Sequence, residues 1–427
     1  MKILFIVLVA LTSTLAAQNK KRILLSNGVA HIGNGQVIEN SYIAFSEGKI
    51  DFVSDARLTK LDMSKFDTTI DVSGKHIYPG FIAPNCILGL QEAEAVRQTS
   101  DYAEVGDYNP HIRSLIAYNT DSKILETVKS NGILYTQATP RYGVISGSSS
   151  ILATDGWNWE DAVIKADDGI HLNFPNSIQR RGWWAEPLPS EKNTKFQEQL
   201  NELTAFFEHA KAYYNTTAVS EVNLRYEAMK GVFNGSRNLY IHADYVKDII
   251  MALNFAKKFG VKKIVLVGGK DSYKITQLLK ENQVAVMVNR LHDLPELPEA
   301  DTDLYYKLPY LLQKDSVMFC LQNQGDMEAM NSRNLPYLAG TAAAYGLSKE
   351  QALQSITLNT AKILGVDKLI GSLEAGKLAS IVISTGDVLD MKSSNIVMVF
   401  VNGRSVSVSN FQNGLYKKYA DKYGVKP

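Results

Sequence analysis

The side chains that could hold a metal ion or act as a nucleophile are few and scattered in this chain. Seven histidines occur among 427 residues, and none form a His-x-His or His-Glu-x-x-His pair, the local spacings typical of metal centres. The Gly-Ser-Ser-Ser segment at 147–150 matches neither a nucleophile elbow nor a phosphate loop, and we interpret it as a polar turn at a strand end. Local spacing alone therefore predicts no complete catalytic motif.

The charge balance narrows the classes of function. Lys+Arg minus Asp+Glu is 45 − 44 = +1, and apolar residues make up 45% and charged residues 21% of the chain. Nucleic-acid binding requires a clustered basic surface, which this balance does not predict. The proportions are those of an ordinary globular protein. A small molecule, rather than nucleic acid, is the expected ligand.

The first residues have the pattern of a targeting segment. Met1 and Lys2 precede an unbroken apolar run at 3–11, and small and polar residues follow up to Ala17. This pattern predicts a secretory signal peptide over 1–17, because the apolar run is too short to span a bilayer. We therefore expect an exported protein, periplasmic or secreted, with no membrane contact after cleavage.

The middle of the chain, 83–365, alternates short apolar strands with helices. This alternation predicts an α/β fold, a (β/α)₈ barrel of the TIM type. A helical insertion is predicted at about 190–235, where apolar residues recur three and four apart. The eight predicted strands span 81–88, 132–137, 144–152, 162–172, 239–243, 263–267, 283–288 and 316–321.

Two β-rich segments, 18–82 and 366–427, flank the barrel. Neither contains enough strands to close a core by itself, so we expect them to combine into one small β-sandwich domain. Cys86 and Cys320 lie on the first and last predicted barrel strands, which are neighbours in a closed barrel. Two buried thiols are the favoured interpretation, and a disulfide between them is the alternative.

Five segments carry a family resemblance: 25–40, 47–50 and 71–82 near the start, 357–365 and 371–382 near the end. They resemble the amidohydrolase superfamily, and within it the imidazolonepropionase-like branch. The resemblance implies a metal-dependent barrel with a composite β domain. It also implies hydrolysis of C–N bonds other than peptide bonds, often in cyclic amides.

The positions that hold the metal in that family are largely altered here. After the first barrel strand the family has Asp-x-His-x-His, whereas this chain has Asn85 and Ile87 at the two histidine positions. An isoleucine offers no lone pair, and a neutral amide is a poor zinc ligand. His242 on the fifth strand is retained, Gly268 replaces a histidine on the sixth, and Gln322 or Asn323 lies near the expected aspartate. Lys165 is a weak candidate for a bridging lysine.

Two hypotheses follow, and the sequence does not decide whether the protein is an enzyme. The first is an exported amidohydrolase-like protein without the usual metal site, non-catalytic, that binds a ligand, forms a homo-oligomer or assists an amidohydrolase-like partner. The second is an active hydrolase with a rebuilt mononuclear site around His242, using Asp326 and Glu92 or Glu94. A divalent metal such as zinc is expected only under the second hypothesis.

Overall fold

The computed structural model describes residues 21–183, 186–217, 221–295 and 300–425. The predicted signal peptide, 1–17, lies outside these residues. The described strands are β1 (Ile23–His31), β2 (Val37–Ser46), β3 (Lys49–Asp55), β4 (Thr68–Asp71), β5 (His76–Pro79), β6 (Phe81–Cys86), β7 (Ile133–Ala138), β8 (Ile145–Ala153), β9 (Val163–Asn173), β10 (Ile178–Trp183), β11 (Glu186–Lys192), β12 (Asn238–Ala243), β13 (Ile264–Gly268), β14 (Ala285–Val288), β15 (Phe319–Leu321), β16 (Ile381–Ser384), β17 (Ile396–Val401) and β18 (Arg404–Val406).

Helices cover the outside of the barrel and fill the long connections. They are α1 (Ser114–Ala117), α2 (Lys123–Lys129), α3 (Trp159–Ala162), α4 (Phe196–Asn215), α5 (Leu224–Asn234), α6 (Val246–Lys258), α7 (Thr276–Glu281), α8 (Leu304–Lys314), α9 (Glu328–Asn331), α10 (Leu335–Ala344), α11 (Lys349–Ser355), α12 (Leu358–Leu364) and α13 (Phe411–Tyr423).

The two ends of the chain share one hydrogen-bonded sheet. Its order is β18-β17-β16-β5-β1-β2-β3, and β4 also pairs with β1. Strand β5 from the first segment pairs with β16 from the last, so the β domain is composite. Phe45 and Phe400 pack edge to face at 5.0 Å between ring centroids, in a core that both segments supply. Burial of these two rings stabilises the contact between the two segments, because each segment supplies only part of this core.

The barrel is nearly closed and contains the eight predicted strands. The order is β6-β7-β8-β9-β12-β13-β14-β15. The predicted barrel is thereby confirmed. β6 and β15 are the two ends of this order. The backbone N–H of Ile82 on β6 donates to the carbonyl of Ile356, 2.9 Å away. The thiols of Cys86 and Cys320 are both free and buried, so the disulfide alternative is wrong.

The expected strict alternation of strands and crossover helices is wrong at one strand. β8 runs antiparallel to both β7 and β9, whereas the other barrel pairs are parallel. Only 139–144 separate β7 from β8, and 154–162 separate β8 from β9. A parallel pair needs a crossover of about a dozen residues or more, and these links are shorter, so the chain turns back directly. The polar segment 147–150 consequently lies inside β8, and its interpretation as a strand-end turn is wrong.

The helical insertion is present as α4 and α5. Leu203, Phe207, Met229 and Phe233 are buried between these helices, β9 and β12. Their three- and four-residue spacing explains why the helices pack on the barrel through one face. Within the described part of the chain, no helix is both long and apolar enough to cross a membrane.

Candidate functional site

Polar side chains converge at the barrel mouth, where the parallel strands end. Asn85, near the end of β6, is fully buried and has a φ of +47°, a conformation that Asn tolerates better than most residues. Its backbone N–H donates to Gln137 Oε1 at 2.9 Å, and its Nδ2 donates to Gln324 Oε1 at 2.9 Å. The amide of Asn85, which the resemblance predicts at the first ligand position, is therefore held by protein partners.

A guanidinium group lies against this asparagine. Arg141, in the β7–β8 loop, donates from Nη1 to Asn85 Oδ1 at 2.9 Å and from Nη2 to the Asn85 carbonyl at 2.7 Å. Nη2 also forms an ion pair with Glu328 Oε1 at 2.7 Å, and the two side chains are only 12% and 6% exposed. A buried cation thus contacts the first of the family ligand positions.

Glu328 opens α9, just after β15, and completes this group. Its Oε1 also accepts the N–H of Ile87 at 3.0 Å. Burial raises the pKa of the Glu328 carboxyl, while Arg141 and the hydrogen bonds oppose that rise. Ile87, at the second family ligand position, therefore contributes a backbone donor and a buried side chain.

The other family positions are also occupied by protein contacts. Gln322 is buried and accepts from Asn85 Nδ2 at 3.4 Å, and its own Nε2 donates to Asn289 Oδ1. Gly268 has a φ of +97°, and a Cβ built there would lie 2.5 Å from Asp244 Oδ1. A larger residue at this position would be strained and crowded.

The carboxylates named in the second hypothesis lie elsewhere. Asp326 is exposed, and its backbone carbonyl accepts from Arg290 Nη1 at 3.2 Å. Glu92 accepts from Asn119 Nδ2 at 3.0 Å and from the hydroxyl of Ser122, the residue that caps α2, while Glu94 is exposed. These side chains are not brought to His242.

Two histidines meet at the ends of β9 and β12. His242 is partly exposed and His171 is fully buried. His242 Nε2 lies 3.0 Å from His171 Nδ1. His171 Nε2 lies 3.0 Å from Ser149 Oγ on β8. The antiparallel course of β8 brings this serine to the interior beside β9.

A buried carboxylate ends this line of contacts. Asp168 on β9 accepts the Ser149 hydroxyl at Oδ1, 2.7 Å away, and Gln137 Nε2 at Oδ2, 3.0 Å away. The hydroxyl of Tyr240 also donates to Oδ2. Burial raises the pKa of Asp168, and these donors act in the opposite direction.

Both imidazoles are held neutral. Burial lowers the pKa of His242 to about 3, and the positive charge of Arg141 acts in the same direction. Burial, His242 and Arg141 together lower the pKa of His171 well below its usual range. Each ring at neutral pH therefore carries one proton, and offers one donor and one acceptor.

The sequence motifs did not identify Arg141, Glu328, Asp168, Ser149 or His171. The available signal was polar residues inside apolar strands: Ser149, Asp168 and His171 all lie in predicted barrel strands. Lys165, by contrast, donates to the Leu364 carbonyl at 2.8 Å, on α12. Across the residues that the structure describes, no group of three or more His, Cys, Asp or Glu side chains is placed to hold a metal ion.

Comparison with known proteins confirms the resemblance. A sequence model of the amidohydrolase family matches 196–406. An adenine deaminase of Clostridium botulinum (strain 657) is 22% identical over an alignment 424 residues long, gaps included, that covers 93% of this chain and 59% of that protein. The chain thus spans about 59% of the length of the adenine deaminase it matches.

Two further proteins match over most of their length. An imidazolonepropionase of Fusobacterium nucleatum is 22% identical over an alignment 368 residues long, gaps included, that covers 82% of this chain and 86% of that protein. The crystal structure of an amidohydrolase from Thermotoga maritima is 25% identical, with a TM-score of 0.77, and covers 90% of this chain and 99% of that one. This chain and that structure therefore share one overall fold over most of both chains.

Proposed function

Because the chain belongs to the amidohydrolase superfamily, we propose that its barrel mouth binds a small nitrogen-containing ring, without a metal ion and without the metal-dependent hydrolysis of C–N bonds. The relatives act, by their names, on adenine and on imidazolonepropionate, both of which contain nitrogen rings. This protein keeps the fold of such proteins and has a different set of side chains where the resemblance places the metal.

One observation carries the proposal: Arg141 bonds to Asn85, at the first family ligand position, and pairs with Glu328. A guanidinium keeps its positive charge at any physiological pH and repels a divalent cation. It also neutralises the buried carboxylate that would otherwise attract one. The donor set at the mouth therefore does not fit a divalent metal.

The retained histidine supports the same conclusion. Nε2 of His242 is engaged with His171, which leaves Nδ1 as the available ring nitrogen. Zinc sites in proteins use three or four ligands, and one nitrogen beside two neutral amides provides too few. Asp326, which the second hypothesis required, is exposed.

Two measurements test this proposal: the zinc content of the purified protein, and the binding and turnover of a ligand. Purified protein is incubated with zinc and desalted, and zinc is measured by mass spectrometry in the wild type and in His242→Ala. We expect less than about one ion per ten chains in both. One ion per chain that is lost in His242→Ala would contradict the proposal and favour the rebuilt hydrolase site.

The second measurement concerns the ligand. We expect hydantoin or adenine to raise the melting temperature of the wild type and to be recovered unchanged after long incubation. A stabilising effect that persists in His242→Ala would place binding away from the mouth. Conversion of either compound, with activity that depends on added zinc, would show that the protein is a metal-dependent hydrolase.

We also propose that the protein is exported, on the basis of the positive, apolar and small-residue pattern of 1–17. The full chain, expressed in a bacterial host, should be recovered outside the cytoplasm with Gln18 as its first residue. An intact N-terminus on cytoplasmic protein would contradict this proposal.

A further inference from the structure

Four side chains form an unbroken hydrogen-bonded line from the barrel interior to its mouth. It runs from Asp168 to Ser149 at 2.7 Å, to His171 at 3.0 Å, and to His242 at 3.0 Å. The first three residues are fully buried or nearly so, and His242 is partly exposed. We propose that Asp168 sets the direction of every hydrogen bond in this line, and so makes Nδ1 of His242 an acceptor at the mouth.

The direction is determined at the carboxylate. Three donors, on Ser149, Gln137 and Tyr240, favour the ionised form of Asp168 against the effect of burial. An ionised carboxylate only accepts hydrogen bonds, so the Ser149 hydroxyl then donates to Asp168. Ser149 Oγ then serves as an acceptor toward its other neighbours. The Gly169 carbonyl, 3.5 Å from Oγ, competes weakly for the hydroxyl proton with the carboxylate at 2.7 Å. Gln137 Nε2 donates to Oγ at 3.1 Å, and His171 Nε2 must donate as well.

The same logic continues through the two rings. His171 carries its proton on Nε2, so its Nδ1 is a lone pair and accepts from His242. His242 therefore carries its proton on Nε2, and its Nδ1 presents a lone pair. Among the described residues Nδ1 has no hydrogen-bond partner, so it is available to a ligand.

The surroundings of Asp168 fix the acceptor role of its second oxygen, Oδ2. Gln137 cannot exchange its oxygen and nitrogen, because its Oε1 accepts the N–H of Asn85 at 2.9 Å. Its Nε2 must then face Asp168 Oδ2, where the Tyr240 hydroxyl also donates. Both neighbours of Oδ2 are donors, so this oxygen has to remain an acceptor.

Asp168→Asn would reverse the direction of every hydrogen bond in this line, because the Asn side chain has almost the same shape as Asp but carries an NH₂ donor. The oxygen of the new amide must face Gln137 and Tyr240, so its NH₂ must face Ser149. The serine then accepts from that amide and donates to His171 Nε2. Each ring passes its proton to the other nitrogen, and Nδ1 of His242 becomes a donor.

This arrangement specifies the kind of ligand, a step that rests on the proposed function. A lone pair at Nδ1 pairs with an N–H of a ring, as in a cyclic amide. It disfavours a ring that presents only acceptors or an N-methyl group at this point. Asp168, which touches no ligand, is then a positioning residue for specificity.

The experiment determines the tautomers directly, by long-range ¹H–¹⁵N correlation spectra of the full chain labelled with ¹⁵N-histidine at pH 7.5. In the wild type we expect His171 and His242 to be protonated at Nε2, and in Asp168→Asn both at Nδ1. The matched control is Asp167→Asn, the neighbouring carboxylate, which pairs with Arg113 and Arg237 and should leave the spectra unchanged.

Two results would overturn the inference: a wild-type His242 protonated at Nδ1, or Asp168→Asn with both rings still protonated at Nε2. If that variant does not fold, Ser149→Ala provides the test, because it removes the link between Asp168 and His171. We expect it to release the rings to a mixture of tautomers, and a spectrum like that of the wild type would refute the relay.

Ligand binding adds a second, separable readout. Hydantoin should bind the wild type at least about ten-fold more tightly than 1,3-dimethylhydantoin, and Asp168→Asn should abolish that preference. An equal preference in wild type and variant would contradict the role of Asp168 in specificity. If hydantoin does not bind at all while the tautomers behave as expected, the proposed function fails and the relay stands.

Discussion

Arg141→Met should be among the most destabilising single substitutions at the barrel mouth. Arg141 and Glu328 are 2.7 Å apart and nearly buried, so removing the guanidinium leaves a carboxylate without its counter-charge. Breaking such a pair costs about 3–5 kcal/mol. Two hydrogen bonds to Asn85 are also lost, at about 1 kcal/mol each. Protonation of Glu328, whose pKa burial already raises, offsets part of this loss, and we expect about 4 kcal/mol.

The assay is urea unfolding followed by tryptophan fluorescence, arranged as a double-mutant cycle with Glu328→Gln. The double variant should cost at least about 2 kcal/mol less than the sum of the single variants, because it leaves no unpaired charge. Arg113→Met is the matched control, since Arg113 pairs with Asp167 at 2.9 Å but is 43% exposed. It should cost less than about 1 kcal/mol. Additive single variants, or an Arg141→Met as mild as the control, would refute the buried pair as the group that organises the mouth.

Three further outcomes are expected. Gly268→Ala should lower the free energy of unfolding by about 1–3 kcal/mol, because of its φ of +97° and the close contact with Asp244; a neutral result in urea titration would contradict that geometry. The pKa of His242 is about 3 in the folded state and near 6.5 in the unfolded state. Below pH 6.5 the unfolded state therefore binds a proton that the folded state does not, and the free energy of unfolding decreases as the pH falls. Between pH 6.5 and 4.5 this proton uptake should lower the free energy of unfolding of the wild type by about 2–3 kcal/mol. His242→Gln should lose correspondingly less over the same range. Cys86 and Cys320 should react with a thiol reagent only after unfolding. Burial raises the pKa of the Cys86 thiol to about 12 and the pKa of Cys320 above its usual range. Rapid labelling of the native protein would show that the two thiols are accessible.

The fold was predictable to the level of individual strands. The eight barrel strands are short apolar segments, and each can be identified without knowledge of its neighbours. The direction of β8 was predictable in principle, because the lengths of its two connections exclude crossover helices. The expected alternation of strands and helices fails at β8 for that reason.

The candidate site was predictable only at the positions that the family resemblance marks. Asn85, Ile87, Gly268 and Gln322 stand out only by comparison with the family motif that the residues around them resemble, and their match to its ligand positions stays a prediction. What replaces the altered ligands could not be recognised. Arg141 and Glu328 are 187 residues apart and lie in a loop and in a short helix. No local pattern connects them.

The amino-acid sequence by itself determined the strands and the composite β domain, and it predicts the loss of most family metal ligands. These properties depend on local hydrophobic pattern and on residue type at marked positions. The tertiary structure decided which polar groups share the interior of the barrel. Burial makes every donor there need an acceptor, so the Arg141–Glu328 pair and the line from Asp168 to His242 arise only when the strands close around them. The direction of those hydrogen bonds, and with it the chemistry offered at the mouth, is a property of that enclosed network.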